Sequence, residues 1–201
     1  MKIAITGTSS GIGKELGNQL SKHHDVLCIV RNDLELSDIT AVINYNMPTV
    51  DMLINCAGTD RGGKIEFTKQ DLTSISNTLT TNLISPVLLS HKVLKSNSAC
   101  KIVNITSTNN KQYWPNNLAY SLSKKSLSKF GQMLQVDNSA INYLEIQLGL
   151  TKTKFNQNRY VGCQDRFDDV YQNAHLTPDQ VVKRILPVLF DNTVKFIEIS
   201  P

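Results

Sequence analysis

The chain has 201 residues, 40% of them hydrophobic and 19% charged, with a formal net charge of +4. That suits one domain spanning residues 1–201 and excludes a disordered chain, because the apolar content is near the globular average. No apolar run approaches the ~20 residues of a membrane span, the N-terminus lacks the features of a secretory signal, and Lys and Arg are too scattered for a nucleic-acid surface, so a cytoplasmic protein with neither membrane nor nucleic acid as partner is expected.

Short apolar runs rich in β-branched residues alternate with longer helical patterns. Lys2–Thr6 reads as the first strand and Gly11–Lys22 as the helix after it. Asp25–Val30 and Asp51–Asn55 are further strands. Asp71–Asn97 reads as one long helix, with Leu72, Ile75, Leu79, Leu83, Val87 and Leu94 at helical spacing. Lys101–Thr106 is a strand, Asn117–Asn138 a helix and Ile141–Leu148 a strand. Thr177 with Pro178 reads as an N-cap and first helical residue of a helix to about Phe190, before a last strand at Thr193–Ile199. Strands apolar at nearly every residue, alternating with helices, predict a parallel α/β sheet covered on both faces. The weakly patterned stretch 151–175 is long for a connector and reads as a substrate lid. The cysteines Cys28, Cys56, Cys100 and Cys163 form no CxxC and pair with no histidine at zinc spacing, so buried free thiols and no metal site are expected.

Chemistry first shows in Thr6-Gly7-Thr8-Ser9-Ser10-Gly11-Ile12-Gly13, where the first strand runs into a helix. Gly7 permits a tight turn, Gly11 lets backbone approach a pyrophosphate, and Gly13 lets the helix pack on the strand. The helix N-terminus offers its unpaired N–H groups to the anion. Chance would give this glycine spacing in about 0.03 windows per chain.

The spacing, Gly-x3-Gly-x-Gly, resembles that of the short-chain dehydrogenase/reductase family. Other marks follow in family order. Asn55-Cys56-Ala57-Gly58 resembles the family's Asn-Asn-Ala-Gly, with Cys as the second residue. Asn82 falls in the long helix. Ser107 closes a strand thirteen residues before Tyr120, and Tyr120 with Lys124 makes Tyr-x3-Lys. Leu148-Gly149-Leu150-Thr151-Lys152-Thr153 resembles Pro-Gly-x-Val-x-Thr, with Leu148 in place of Pro. A Tyr-x3-Lys pair alone arises by chance about 0.5 times in such a chain; it acquires weight from Ser107 and from the glycine loop. The resemblance implies a doubly wound Rossmann-type sheet, three layers α/β/α, with strand order 3-2-1-4-5-6-7 and the site at the carboxyl ends of the strands.

The catalytic set under this resemblance is Asn82, Ser107, Tyr120 and Lys124. Tyr120 and Lys124 lie one helical turn apart and share a face. A nearby ammonium lowers the pKa of a phenol, which lets Tyr120 serve as general acid or base at a carbonyl or alcohol. Ser107 would hydrogen-bond the substrate oxygen. The resemblance adds that Lys124 binds the nicotinamide ribose and that Asn82 holds a water in a proton relay. It places Gly7, Ser9, Ser10, Gly11, Ile12, Gly13, Asn55, Ala57, Gly58, Gly149, Thr151 and Thr153 at the cofactor; the loop Asn109–Asn117, with Tyr113 and Trp114, and the lid, with Phe155, Asn158, Arg159 and Tyr160, supply the pocket candidates beside Ser107 and Tyr120 at the substrate. Cofactor choice is read after the second strand. Val30 stands where an acidic residue would bind the adenosine ribose, and Arg31 follows it, which favours NADP(H) over NAD(H) through a forked contact to the 2′-phosphate.

The segment between Arg31 and Asn55 is about half the usual family length. Leu34–Ser37 would then serve as a very short strand and residues 39–46 as one small helix, with Leu36 and Ser37 the candidates at adenine. A homodimer through the two long helices is expected, with a tetramer as the alternative. The leading function is an NADP(H)-dependent oxidoreductase acting on a small carbonyl or alcohol. The alternatives are a non-catalytic NAD(P) sensor or scaffold on the same fold, and a sugar-nucleotide epimerase, which would call for a longer chain.

Overall fold

A computed structural model describes residues 1–60, 65–111, 115–159, 172 and 176–201, the side chains of 156–158 excepted. The strands are β1 (Lys2–Thr6), β2 (Asp25–Ile29), β3 (Met52–Asn55), β4 (Lys101–Ser107), β5 (Tyr143–Leu148) and β6 (Phe196–Ile199). They form a six-stranded sheet in the order β2-β1-β3-β4-β5-β6, with every neighbouring pair parallel. Each neighbouring strand therefore requires a crossover, and the helices supply it. The interior strands β3, β4 and β5 are buried at every residue, whereas the edge strands β2 and β6 each bury only their last residue.

The helices are α1 (Gly11–Leu20), α2 (Ile39–Asn44), α3 (Leu72–Leu79), α4 (Ser85–Ser96), α5 (Leu118–Asp137), α6 (Lys154–Arg159) and α7 (Pro178–Leu189). Alternation along each strand divides the core in two. Ile3, Ile5, Ile54, Val103 and Ile146 face Leu16 and Leu20 of α1 and Val182, Ile185 and Leu189 of α7. Ala4, Leu53, Ile102 and Tyr143 face Val42 of α2 and Leu89 and Val93 of α4. The expected three layers result.

Three expectations need correction. Leu34–Ser37 forms no strand; it is a turn whose Leu34 and Leu36 side chains enter the second core, so the sheet keeps the expected order without its outermost strand. The stretch after Arg31 is too short to lay a further strand beside β2 and still return to β3. The expected single helix at Asp71–Asn97 is α3 and α4 joined by a π turn at Thr80–Ile84, in which the Ser85 N–H donates to the Thr80 carbonyl five residues back. Pro86 follows at the start of α4 and has no N–H to give the Asn82 carbonyl, so the regular α-helical ladder is interrupted here in any case. Cys28, expected to be buried, is exposed because β2 is an edge strand; Cys56 is half-buried, Cys100 is buried, and all three are free thiols.

Two docking contacts hold the site's frame. α5 lies so close to β5 that a Cβ on Gly131 would meet the Tyr143 ring at 1.8 Å. Glu145, buried on β5, accepts hydrogen bonds from Thr106 Oγ1 at 2.7 Å and Ser128 Oγ at 2.9 Å, which ties β4 and α5 to the same strand.

Candidate active site

A cleft of about 770 Å³ runs across the carboxyl ends of the strands, from Arg31 and Leu36 at one end to Tyr120 and Phe155 at the other. That volume lies within the usual range for a ligand site. The glycine loop forms its floor. Gly7 and Gly11 take positive φ of 78° and 57°, which a side chain would strain. A Cβ on Gly13 would lie 2.3 Å from the Gly7 carbonyl oxygen, so α1 can start this close to β1 only with glycine there. Ser10 is the N-cap of α1 but makes no side-chain capping bond, and the first turn holds no acidic residue. The helix start therefore keeps N–H donors for an anion. Ser9, Ser10, Ile12 and the three glycines all line the cleft.

Thr6 fixes the next loop. Its Oγ1 accepts from the N–H groups of Cys56 and Ala57, each at 3.1 Å, and Ala57 and Gly58 line the cleft beside Cys56. Asn55 does not. Its amide donates to Asn104 Oδ1 of β4 at 2.9 Å and Ser90 Oγ of α4 at 3.3 Å within the buried polar layer below the cleft.

Asn82 is fully buried in the π turn and is likewise not a lining residue. Its Oδ1 accepts from the Thr59 N–H and its amide donates to the Thr59 carbonyl, both at 2.8 Å, with a further bond to Ser123 Oγ at 3.0 Å. Gly58 fits between Asn82 and Lys124: a Cβ there would lie 3.6 Å from Asn82 Oδ1 and 3.5 Å from Lys124 Nζ.

The remaining expected catalytic residues converge. Ser107 ends β4, Tyr120 and Lys124 share a face of α5, and all three line the cleft. The Ser107 side chain favours the ionised form of the Tyr120 phenol, and Lys124 Nζ donates to the Ile105 carbonyl at 2.9 Å. Burial lowers the Lys124 ammonium to about 8. Lys124 is expected from the sequence to lower the Tyr120 pKa, but burial holds Tyr120 above its ordinary value. The charge that most opposes this is Arg159, whose guanidinium carbon is 4.7 Å from the Tyr120 ring centroid. The phenol therefore keeps its proton at neutral pH, the state a proton donor needs.

At the far end Arg31 and Leu36 line the cleft. Arg31 Nε is 3.4 Å from Glu35 Oε2. Ser37 is not a lining residue and donates through its N–H and Oγ to Glu35 Oε1. Gly149, Thr151 and Thr153 close the cleft between β5 and α6, and the Thr153 methyl would lie 3.3 Å from a Cβ on Gly11. Phe155 stacks obliquely on Tyr120 at 5.5 Å between centroids. Tyr113, Trp114 and most of the expected lid, residues 160–171 and 173–175, lie outside the described residues. Asp60 is a lining residue that the sequence reading does not single out. It carries no motif, and only the fold brings it to Arg159.

The profile of the family described as short chain dehydrogenase matches residues 26–163. An NADP-dependent 3-hydroxy acid dehydrogenase of Schizosaccharomyces pombe is 26% identical over 92% of this chain and 85% of its own. Among solved structures, serine dehydrogenase complexed with NADP+ superposes with a TM-score of 0.86 at 21% identity, covering 100% of this chain and 95% of that one. A 4-hydroxyisoleucine dehydrogenase complexed with NADH gives 0.84 at 21%, covering 99% and 96%. The glycine cradle, the open helix start and the converging Ser107, Tyr120 and Lys124 fit a nicotinamide dinucleotide. The chain belongs to the short-chain dehydrogenase/reductase family and is an oxidoreductase that acts on a CH–OH group with a nicotinamide cofactor.

Proposed function

We propose that the protein is an NADP(H)-dependent oxidoreductase that moves a hydride between nicotinamide and a small carbonyl or secondary alcohol, with Tyr120 as general acid and base. The observation that carries this is the meeting of Ser107, Tyr120 and Lys124 at one end of a cleft whose other end is a glycine cradle. The dinucleotide supplies or accepts the hydride. Gly7, Ser9, Ser10, Gly11, Ile12 and Gly13 hold its diphosphate. Leu36 borders the adenine, Ala57 and Gly58 the central part, and Lys124, Gly149, Thr151 and Thr153 the nicotinamide half. Ser107 orients the substrate oxygen, Tyr120 passes it a proton or takes one, and Phe155 excludes water. Asn82 acts by holding Thr59 and Ser123 in place around Lys124.

Preference for NADP(H) rests on Arg31, which lines the adenosine end with its charge available to a 2′-phosphate once Glu35 yields its contact. The relative named for NADP and the neighbour complexed with NADP+ agree with it, while another neighbour is complexed with NADH. We further propose a cytoplasmic homodimer. Leu122, Met133 and Val136 recur at helical spacing on α5 and are exposed, Val136 at 88%, which suits a helix-to-helix interface. No described helix is long and apolar enough to cross a membrane.

Tyr120→Phe tests the catalytic reading. Carbonyl reduction should fall about 10³-fold, within the range for removing an acid–base group, while NADPH binding, read by nicotinamide fluorescence, is retained. Full turnover in Tyr120→Phe would contradict the assignment. Nucleotide binding with no turnover of any carbonyl or alcohol by the wild type would favour the sensor alternative.

A further inference from the structure

We propose that Arg159 reads the substrate, and that the substrate is a short 2-oxo or 3-oxo acid, or the matching hydroxy acid, held by its carboxylate. The proposal rests on the oxidoreductase reading above and adds the substrate's chemical class.

Arg159 ends α6 and is only 9% exposed. Its Nε donates to Asp60 Oδ2 at 2.6 Å, and both residues line the cleft beside Tyr120. Its guanidinium carbon lies 4.7 Å from the Tyr120 ring centroid and 5.8 Å from that of Phe155. Its Nη2 is buried and has no hydrogen-bond partner among the described residues. A structural latch between α6 and the loop after β3 would be strongest with both edges of the guanidinium fork engaged. Here Asp60 takes the Nε side and fixes the plane, while a buried donor at the reacting end of the cleft is left unmade. Such donors are costly to bury unpaired and are rare without a reason.

The chemistry of the missing acceptor follows from the surroundings. A carboxylate is planar and matches the guanidinium edge. The guanidinium stands over the ring whose hydroxyl handles the proton. The carboxylate and the reacting carbonyl must therefore sit one or two carbons apart on one small molecule. Phe155 walls the same end with an apolar face. In reduction the π bond of the oxo group breaks, the carbon gains the hydride given up by the reduced dinucleotide, and the oxygen takes the Tyr120 hydroxyl proton. The carboxylate is unchanged.

The test uses 3-hydroxypropionate, 3-hydroxybutyrate and the methyl ester of the latter, with wild type, Arg159→Leu and Arg159→Lys. Calorimetric titration into protein saturated with NADPH, which leaves a hydroxy acid no hydride acceptor, should show the acids binding the wild type at least about ten-fold more tightly than the ester, a factor equivalent to one good charge-assisted contact. That preference should vanish in Arg159→Leu and be partly kept in Arg159→Lys, which retains the charge without the fork. The acid-to-ester ratio of kcat/KM should follow the same order, because the ester corrects for any effect of the substitution on Tyr120. Circular dichroism checks that the variants are folded. Acids that bind no better than the ester, or as well to Arg159→Leu as to wild type, would overturn the proposal and leave the oxidoreductase reading standing. Absence of hydride transfer with binding intact would instead count against that reading and not against Arg159.

Discussion

Lys124 is 4% exposed, with its amine on a main-chain carbonyl, and burial brings its ammonium to about 8. The unfolded chain would hold that proton to about 10.4. Between those values the unfolded state binds more protons, so this residue's contribution to stability rises with pH. Below about 8 the buried charge costs the ligand-free fold about 3 kcal/mol. Lys124→Met should therefore be more stable than wild type at pH 7.5, and the gap should narrow by about 2 kcal/mol by pH 9.5. Urea unfolding of both proteins at the two pH values measures it; a gap independent of pH would show that the lysine is not buried as described. A residue placed at this cost to the fold is consistent with one kept for a ligand.

At the scale of elements, the site depends on how closely α5 approaches β5. Gly131 permits that approach, and Gly131→Ala would drive a methyl into the Tyr143 ring. Overpacking of this kind typically costs about 1–3 kcal/mol. A lower melting temperature is expected, together with reduced turnover, since Tyr120 and Lys124 ride on the same helix. An unchanged melting temperature would mean that the contact is softer than the distances state. These elements were largely legible in the sequence, because strand and helix periods differ and the strands are buried on both faces. The glycine loop and the Ser107, Tyr120, Lys124 set were legible too, since their spacing is set by local geometry. What the sequence concealed depends on contacts between distant segments. Asn55 and Asn82 carry motif positions, yet the Asn55 amide bonds Asn104 of β4 and Ser90 of α4, and the Asn82 amide holds Thr59. Leu34–Ser37 looked like a strand because its apolar residues alternate, but they face a core with no strand to pair with. Asp60 gains meaning only when α6 brings Arg159 over it.

For the whole molecule, the cleft at the carboxyl ends of the strands is the NADP(H) site we propose. The shortened stretch after Arg31 leaves the adenosine end with Arg31, Leu34, Glu35 and Leu36 as its wall. Titration with NADPH and with NADH, followed by the fluorescence of the reduced nicotinamide, tests this most directly. NADPH should bind at least about ten-fold more tightly than NADH, as one forked contact to the added phosphate would give. Arg31→Ala should remove the difference by weakening NADPH alone. Equal affinities, or tighter NADH, would contradict the role given to Arg31, and binding of neither nucleotide would contradict the account of the cleft itself.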